Sequence, residues 1–137
     1  EVYEDDMWVC QELQKKYPNV IIESGYTTPM EIKSIISGLD VFSGARMHAT
    51  IGAFSSGVAT IPFSYSRKFE GLYDDLQYSY LINATSISTE EAVKKTIDWV
   101  DDYRILQDNV EKSSHLLPDK QNVFINALKQ VIEEKRK

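Results

Sequence analysis

The stretch that decides the fold is Val41-Phe42-Ser43-Gly44-Ala45-Arg46-Met47-His48-Ala49-Thr50. Two apolar residues at its start are typical of a short buried strand, and Gly44 then predicts a tight turn. A helical run rich in small residues is predicted from His48 to Ser56. Arg46 and His48 therefore lie where a strand turns into a helix, and the open N–H groups and dipole of a helix start favour an anion. The sequence predicts a site for a phosphorylated or carboxylated ligand.

On the N-terminal side of this stretch, the pattern predicts two helices and one strand. Apolar positions at helical spacing predict a helix over residues 2–17, which Pro18 ends. The β-branched run Val20-Ile21-Ile22-Glu23 predicts a buried strand that leads into Ser24-Gly25. Thr28-Pro29-Met30-Glu31 predicts a helix start, with Thr28 as N-cap and Glu31 closing a capping box.

On the C-terminal side, strands and helices continue to alternate. Val58 to Tyr65 is predicted as a strand although Pro62 cannot donate to a ladder, and Gly57 is predicted as the C-terminal cap of the helix before it. Tyr80-Leu81-Ile82 is predicted as a fourth, shorter strand. A capping box of Ser88 and Glu91 predicts the start of the longest helix, and a last helix follows Pro118.

Short, continuous apolar strands between helices indicate a parallel sheet that is covered on both faces. The predicted class is α/β: a Rossmann-like three-layer sandwich with a mainly parallel sheet, formed by residues 1–137 as a single domain. Ligands bind such sheets outside the carboxyl ends of the strands. Here those ends are Glu23-Ser24-Gly25, Ser43-Gly44-Ala45-Arg46 and Ser64-Tyr65-Ser66-Arg67-Lys68.

Composition excludes several classes of protein. A net charge of -6 over 137 residues argues against nucleic acid as the main partner, because phosphate binding needs a basic surface. No apolar run approaches the roughly 20 residues that a membrane span needs. Cys10 is the only cysteine, and no cluster of metal ligands is visible, so no metal site is predicted. Because the chain opens on Glu1-Val2-Tyr3-Glu4 without a methionine, we expect it to be part of a longer protein.

Three stretches together resemble the polysaccharide pyruvyl transferase family: Phe42 to Ala53 with its Arg-x-His-Ala pattern, Gly57-Val58, and Tyr65-Ser66-Arg67-Lys68. The likeness is specific over residues 20–76. One departure is Ala59, which stands where the family usually has proline. The resemblance implies the C-terminal half of a two-domain GT-B-like fold, with the active site in the cleft between the halves.

The resemblance also implies an activity. Family members transfer an enolpyruvyl-derived group from phosphoenolpyruvate onto two sugar hydroxyls, forming a cyclic ketal in cell-surface polysaccharide. The expected partners are phosphoenolpyruvate as donor substrate, a sugar or lipid-linked saccharide as acceptor, and the N-terminal half that this sequence lacks. No cofactor is expected. The expected location is cytoplasmic, including the inner face of the membrane.

The residue types fit this chemistry. Arg46 can bind a phosphate or carboxylate with two parallel hydrogen bonds, and His48 is the natural general acid and base, so both are predicted to be catalytic. Lys68 could add a point charge, and Tyr65 a hydroxyl or a stacking face. The other predicted substrate-binding residues are the small ones at the strand ends: Ser24, Gly25, Ser43 and Gly44.

Two alternatives from other classes stay open. The same fold and edge would serve the nucleotide-sugar half of a GT-B glycosyltransferase or a sugar epimerase, and only the ligand separates these from a pyruvyl transferase. A degenerate, non-catalytic half that binds a protein partner is the other alternative.

Overall fold

The computed structural model describes residues 6–135. The chain divides after Glu31 into two compact units, and each is described by itself. That residues 1–137 form the C-terminal half of a longer enzyme stays a prediction.

The first unit contains one helix and the start of a second. Helix α1 is Asp6–Lys16, within the range predicted from spacing, of which residues 2–5 lie outside the described part. The predicted strand Val20–Glu23 is wrong, because residues 20–27 have no regular secondary structure. Local hydrogen bonds hold this segment instead: the Gln14 side chain donates to the Val20 carbonyl at 3.1 Å, and the Val20 N–H donates to Tyr17 at 3.0 Å.

Helix α2, Pro29–Ile36, begins as its capping box predicts. The Glu31 carboxylate accepts from the Thr28 N–H at 2.9 Å, while the Thr28 hydroxyl accepts from the Glu31 N–H at 3.3 Å. Hydrogen bonds from the N–H groups of Thr27 and Thr28 lower the pKa of Glu31. The helix start is therefore fixed by residues adjacent in sequence.

The second unit contains three short strands and five more helices, in the order β1 Val41–Gly44, α3 Met47–Phe54, β2 Ala59–Ser64, α4 Arg67–Asp75, β3 Ile82–Asn83, α5 Thr89–Asp101, α6 Tyr103–Ser114 and α7 Leu117–Glu134. The strands form one sheet in the order β1-β2-β3, and both pairs are parallel. This confirms the prediction of a parallel α/β sheet, which is compatible with a Rossmann-like fold.

The sheet has helices on both faces. Ala59 and Ile61 of β2 pack with Leu106 of α6 and with Trp99 of α5. Val58 immediately precedes β2, and its side chain lies on the opposite face of the sheet from Ala59 and Ile61. It packs with Ala53 of α3 and Ile36 of α2. Burial on both faces explains why the strand sequences are continuous apolar runs.

Several predicted elements differ in detail from the structure. The fourth predicted strand, Tyr80-Leu81-Ile82, is a strand only at Ile82–Asn83. The helix that begins at Ser88 is not the longest described helix: it ends at Asp101, and α7 with 18 residues is longer. Pro62 of β2 lies opposite Gly44 in the last pair between β1 and β2. Pairing between β2 and β3 begins at Phe63, the next residue. The proline, which has no N–H to donate, therefore lies where β2 stops pairing with β1 and starts pairing with β3.

The end of α3 confirms Gly57 as a capping glycine. Its φ is +77°, a left-handed conformation that favours glycine, and its N–H donates to Phe54 at 3.1 Å. The Val58 N–H donates to Ala53 at 3.2 Å, which completes a Schellman motif with the apolar contact between Val58 and Ala53. Gly52 lies within the helix, and an added Cβ there would meet nothing within 4 Å. The small residue at this position does not reflect a close approach.

An aromatic cluster between α3, α4 and α6 holds the helical layer together. Phe54 contacts Tyr73 and Tyr78 edge-to-face, with ring centroids 5.7 and 5.1 Å apart. Phe69 contacts Tyr73 in the same manner at 5.6 Å. Edge-to-face pairs add about 0.5–1.5 kcal/mol each to the free energy gained by burial.

The two buried tyrosines of this cluster differ in their hydrogen bonding, which gives a paired prediction. The Tyr78 hydroxyl donates to the Thr60 carbonyl, whereas the buried Tyr73 hydroxyl has no partner among the described residues. Thr50 lies near Tyr73, but its hydroxyl donates to Met47 at 2.8 Å. Removing an unpaired buried hydroxyl relieves its desolvation cost, so Tyr73→Phe should raise the free energy of unfolding by about 1 kcal/mol. Tyr78→Phe should lower it by about the same amount, as measured by urea unfolding.

Alkaline titration gives a second measurement on the same variants. Burial raises the pKa of Tyr73 from 10.0 to about 12, against a smaller opposing effect of Thr50. A raised pKa means that the unfolded chain loses this proton first, so stability falls as the pH rises through that interval. Tyr73→Phe should flatten this alkaline decline, and an unchanged slope would contradict the burial of the hydroxyl.

Candidate active site at the carboxyl edge of the sheet

The candidate site lies where the parallel strands of the second unit end. Gly44 ends β1, Ser64 ends β2 and Asn83 ends β3, so the segments that follow them leave the same edge of the sheet. Two of these segments lead directly into helices, α3 and α4. The edge therefore combines strand ends with two helix N-termini.

Helix α3 begins differently from the other helices at this edge. Arg46 is its N-cap, with extended backbone angles of φ -80° and ψ 110°, and it makes no side-chain capping hydrogen bond. There is no acidic residue in the first turn of this helix. By contrast, the Ser66 hydroxyl caps α4 by accepting from Phe69, and the Ser88 hydroxyl caps α5 by accepting from Glu91. The positive end of the α3 dipole is therefore not compensated by a capping side chain.

Arg46 and His48 are both exposed at this helix start. The Arg46 carbonyl accepts from the N–H groups of Ala49 and Thr50, each at 3.1 Å, which fixes the backbone of the first turn. Met47, between the two candidate residues, packs against the aromatic cluster. Because Met47 points into the core, the residues on either side of it are presented away from the core on a firmly held turn.

The other residues predicted on this segment have defined contacts. The exposed Ser43 donates its hydroxyl to the Ile61 carbonyl at 3.3 Å. The tight turn predicted at Gly44 is wrong: Gly44 is the last strand residue and does not have a positive φ. An added Cβ at Gly44 would lie 3.2 Å from the ring of Phe42, so a larger residue would require that ring to shift by a few tenths of an ångström.

The segment after β2 provides the second group of candidate residues. Tyr65 is 64% exposed, and its ring centroid lies 6.5 Å from that of Phe69. Arg67 and Lys68 are the first two residues of α4, and both are exposed. Two cations near the N-terminus of a helix are unfavourable for its dipole, and the acidic Glu70 in the same turn together with the Ser66 cap offsets them.

Ser24 and Gly25 belong to the first unit. Their predicted place at this edge rested on a strand at Val20–Glu23 that does not form. Gly25 has a φ of +87° and open space around its Cβ position, so glycine there serves the backbone turn. A substrate-binding role for the two residues stays a prediction without that structural basis.

Sequence reasoning missed a hydrogen-bonded cluster between β2, α4 and β3. Glu70 Oε1 accepts from Asn83 Nδ2 at 2.7 Å and from Ser64 Oγ at 3.3 Å. Asn83 Oδ1 in turn accepts from the N–H of Thr85 at 2.9 Å and from its hydroxyl at 2.7 Å. The available signal was a polar residue at the end of each of two strands, Ser64 of β2 and Asn83 of β3.

Residues 6–135 contain neither a metal-binding cluster nor a membrane-spanning helix. No group of three or more His, Cys, Asp or Glu side chains is arranged to hold a metal ion there. The helices of that same range are too short or too polar to cross a membrane.

Part of the chain matches the model of a known transferase family. The fold and the Arg46–His48 edge define a parallel α/β domain of the kind that binds its ligand at the carboxyl ends of the strands. The family model of polysaccharide pyruvyl transferases matches residues 2–67, which confirms the resemblance found in the sequence. The match includes α1, both strand ends with Arg46 and His48, and ends one residue before Lys68. Over residues 2–67 the chain is therefore similar to polysaccharide pyruvyl transferases.

No curated protein and no solved structure gives a significant match to this chain.

Proposed function

We propose that this chain is the donor-binding half of a pyruvyl transferase that acts in the biosynthesis of cell-surface polysaccharide. It binds phosphoenolpyruvate and helps transfer the pyruvyl group onto two hydroxyls of a sugar as a cyclic ketal. The observation that supports this proposal is the start of α3: Arg46 and His48 are exposed on a helix N-terminus without a capping side chain, inside the segment that matches the family.

The donor is a doubly anionic molecule, and the edge offers matching groups. A guanidinium binds a carboxylate or phosphate with two parallel hydrogen bonds, so Arg46 can orient the donor as well as attract it. The dipole of α3 adds a partial positive charge at the same place. Lys68 and Tyr65 at the start of α4 supply a point charge and an exposed aromatic hydroxyl. The donor is a substrate, and no cofactor takes part in the proposed reaction.

The proposed reaction needs proton transfers that a histidine can perform. The terminal carbon of the enol accepts a proton while the oxygen of a sugar hydroxyl bonds to the neighbouring carbon. The second hydroxyl then bonds to the same carbon, and the bond to the phosphate oxygen breaks. Of the two hydroxyl protons, one balances the proton placed on carbon and the other leaves with the phosphate. His48 is the group that we assign to these transfers.

The remaining parts of the proposal concern the whole enzyme. We infer a two-domain GT-B-like arrangement in which this chain forms one wall of the cleft. The N-terminal half then forms the other wall and helps to bind the sugar or lipid-linked saccharide acceptor. The enzyme would work in the cytoplasm, including at the inner face of the membrane, where phosphoenolpyruvate is available.

A thermal-unfolding experiment on this chain tests donor binding. A ligand that binds only the folded state at 100 times its Kd adds about 2.7 kcal/mol of stability. Phosphoenolpyruvate should therefore raise the melting temperature of the chain, and Arg46→Ala should abolish that rise. Arg104→Ala, a change to an exposed arginine on α6, is the matched control and should leave the rise unchanged.

Other outcomes of this experiment separate the alternatives. A rise with UDP- or GDP-sugars and none with phosphoenolpyruvate would replace the proposal with a nucleotide-sugar function. A chain that responds to neither kind of ligand would favour the non-catalytic module.

A further inference from the structure

Glu70 occupies a central position at the candidate site although it belongs to none of the predicted site residues. It is half-buried on α4, in the first turn of the helix. One of its oxygens, Oε1, accepts hydrogen bonds from residues at the ends of two different strands, Ser64 of β2 and Asn83 of β3. A single carboxylate oxygen thus connects the ends of two neighbouring strands.

On one side, this connection reaches the start of α4. Ser64 is fully buried, and its single hydroxyl proton is shared between Glu70 Oε1 at 3.3 Å and the Ser66 carbonyl at 3.0 Å. The Ser64 hydroxyl oxygen also accepts from the Ser66 N–H at 3.3 Å. Ser66 is the N-cap of α4 and accepts from the Phe69 N–H at 3.4 Å. The turn that presents Tyr65 and Lys68 is therefore held through Ser64.

On the other side, the connection reaches the turn after β3. The Asn83 side chain donates to Glu70 and accepts from both the N–H and the hydroxyl of Thr85. The Glu70 carboxylate fixes this orientation of the Asn83 amide. An ionised carboxylate can only accept hydrogen bonds, so the NH₂ group of the amide must face it.

We propose that Glu70 is a positioning residue for donor binding: through Ser64 it holds residues 65–68 in the conformation that places Tyr65 and Lys68 at the site. This inference rests on the proposed function for the identity of the donor. It goes beyond that function in assigning a role to a residue that does not itself touch the donor.

The role requires an acceptor of a particular shape at position 70. Without the carboxylate, the buried Ser64 hydroxyl loses one acceptor and the Asn83 amide loses its acceptor, so each turn keeps only its own local hydrogen bonds and the connection between the two strand ends is lost. Glutamine keeps a carbonyl oxygen on a side chain of the same length, so Glu70→Gln can still accept from both donors. Glu70→Ala cannot.

The first test measures the turn without any ligand. Amide hydrogen exchange of residues 66–69 should be faster in Glu70→Ala and in Ser64→Ala than in the unmodified chain, because exchange reports local opening. Glu70→Gln should restore protection. Glu90→Ala, a change to an exposed glutamate in the first turn of α5, is the control and should leave these amides unchanged. Equal exchange in Glu70→Ala and the unmodified chain would overturn the inference.

The second test measures the affinity for phosphoenolpyruvate by calorimetry, at a temperature where circular dichroism shows every variant folded. Glu70→Ala and Ser64→Ala should each weaken binding about tenfold, and the double variant should be no weaker than either, because the two residues act as one unit. Glu70→Gln should bind within about twofold of the unmodified chain. Additive losses, or a Glu70→Gln variant as weak as Glu70→Ala, would overturn the positioning role.

The two tests keep the inference separate from the proposed function. An unmodified chain that does not bind phosphoenolpyruvate would refute the proposed function, and the exchange comparison would then decide the role of Glu70 by itself.

Discussion

His48→Ala in the two-domain transferase that we propose should lower kcat for ketal formation by about 10²–10⁴, the usual contribution of a positioned general acid and base. The reason is that protonation of the enol carbon and removal of the hydroxyl protons would fall to water. Affinity for phosphoenolpyruvate should change little, since Arg46 and the helix start would still bind the anion. Steady-state kinetics with phosphoenolpyruvate and the acceptor sugar separate kcat from KM.

The chain offers a close control for this experiment. His115 is the only other histidine, and it is exposed at the C-terminal end of α6. His115→Ala should leave kcat unchanged. Undiminished turnover in His48→Ala would remove His48 from the proposed mechanism, whereas a large rise in KM alone would assign it to binding.

Phe69→Ala should lower the free energy of unfolding by about 3–5 kcal/mol, the range for a large-to-small change at a buried aromatic. Phe69 is 1% exposed, contacts Tyr73 edge-to-face and lies in the same core cluster as Val110. Its removal would leave a cavity between α4 and the rest of the cluster. Urea unfolding at low temperature gives the change, and Phe69→Leu should lose much less because it retains most of the volume.

Phe124 is the matched control because it is the same residue type at 67% exposure on α7. Phe124→Ala should change the free energy of unfolding by about 0.5 kcal/mol or less, as expected for an exposed position. Comparable losses at the two positions would mean that α7 is buried in solution.

Helix starts were predictable because their determinants are local. Thr28 and Glu31 are three residues apart and each accepts a hydrogen bond from the other's N–H, and Ser88 in the same way accepts from the N–H of Glu91. The Schellman motif at Gly57 is local in the same sense. These features were confirmed with little error in their boundaries.

Strand predictions were less accurate because a strand needs a partner. Val20–Glu23 has the composition of a buried strand, but its backbone finds local hydrogen bonds and no ladder. The strand predicted at Tyr80-Leu81-Ile82 is a second example. The ring of Tyr80 contacts those of Tyr78 and Trp99, and of this segment only Ile82–Asn83 pairs with β2. A run of β-branched residues shows that a segment could pack in a sheet, but it does not show which strand would pair with that segment.

The candidate site was predictable only in part, for a related reason. Arg46 and His48 belong to one continuous stretch whose strand-to-helix pattern locates them. Glu70 contacts Ser64 six residues away and Asn83 thirteen residues away, and those separations follow no helical or strand period. Such a cluster becomes visible only when the topology brings two strand ends together.

The change of partner at Pro62 shapes the edge on which a substrate would lie. β1 pairs with β2 only as far as Pro62, whereas β2 continues for two more residues and pairs with β3 at Ser64. At about 3.3 Å per strand residue, the edge has a step of about 6–7 Å, with β1 on the lower level. Ser64 with Asn83 forms the raised side, so the edge of the sheet is stepped between β1 and β3 and is not flat.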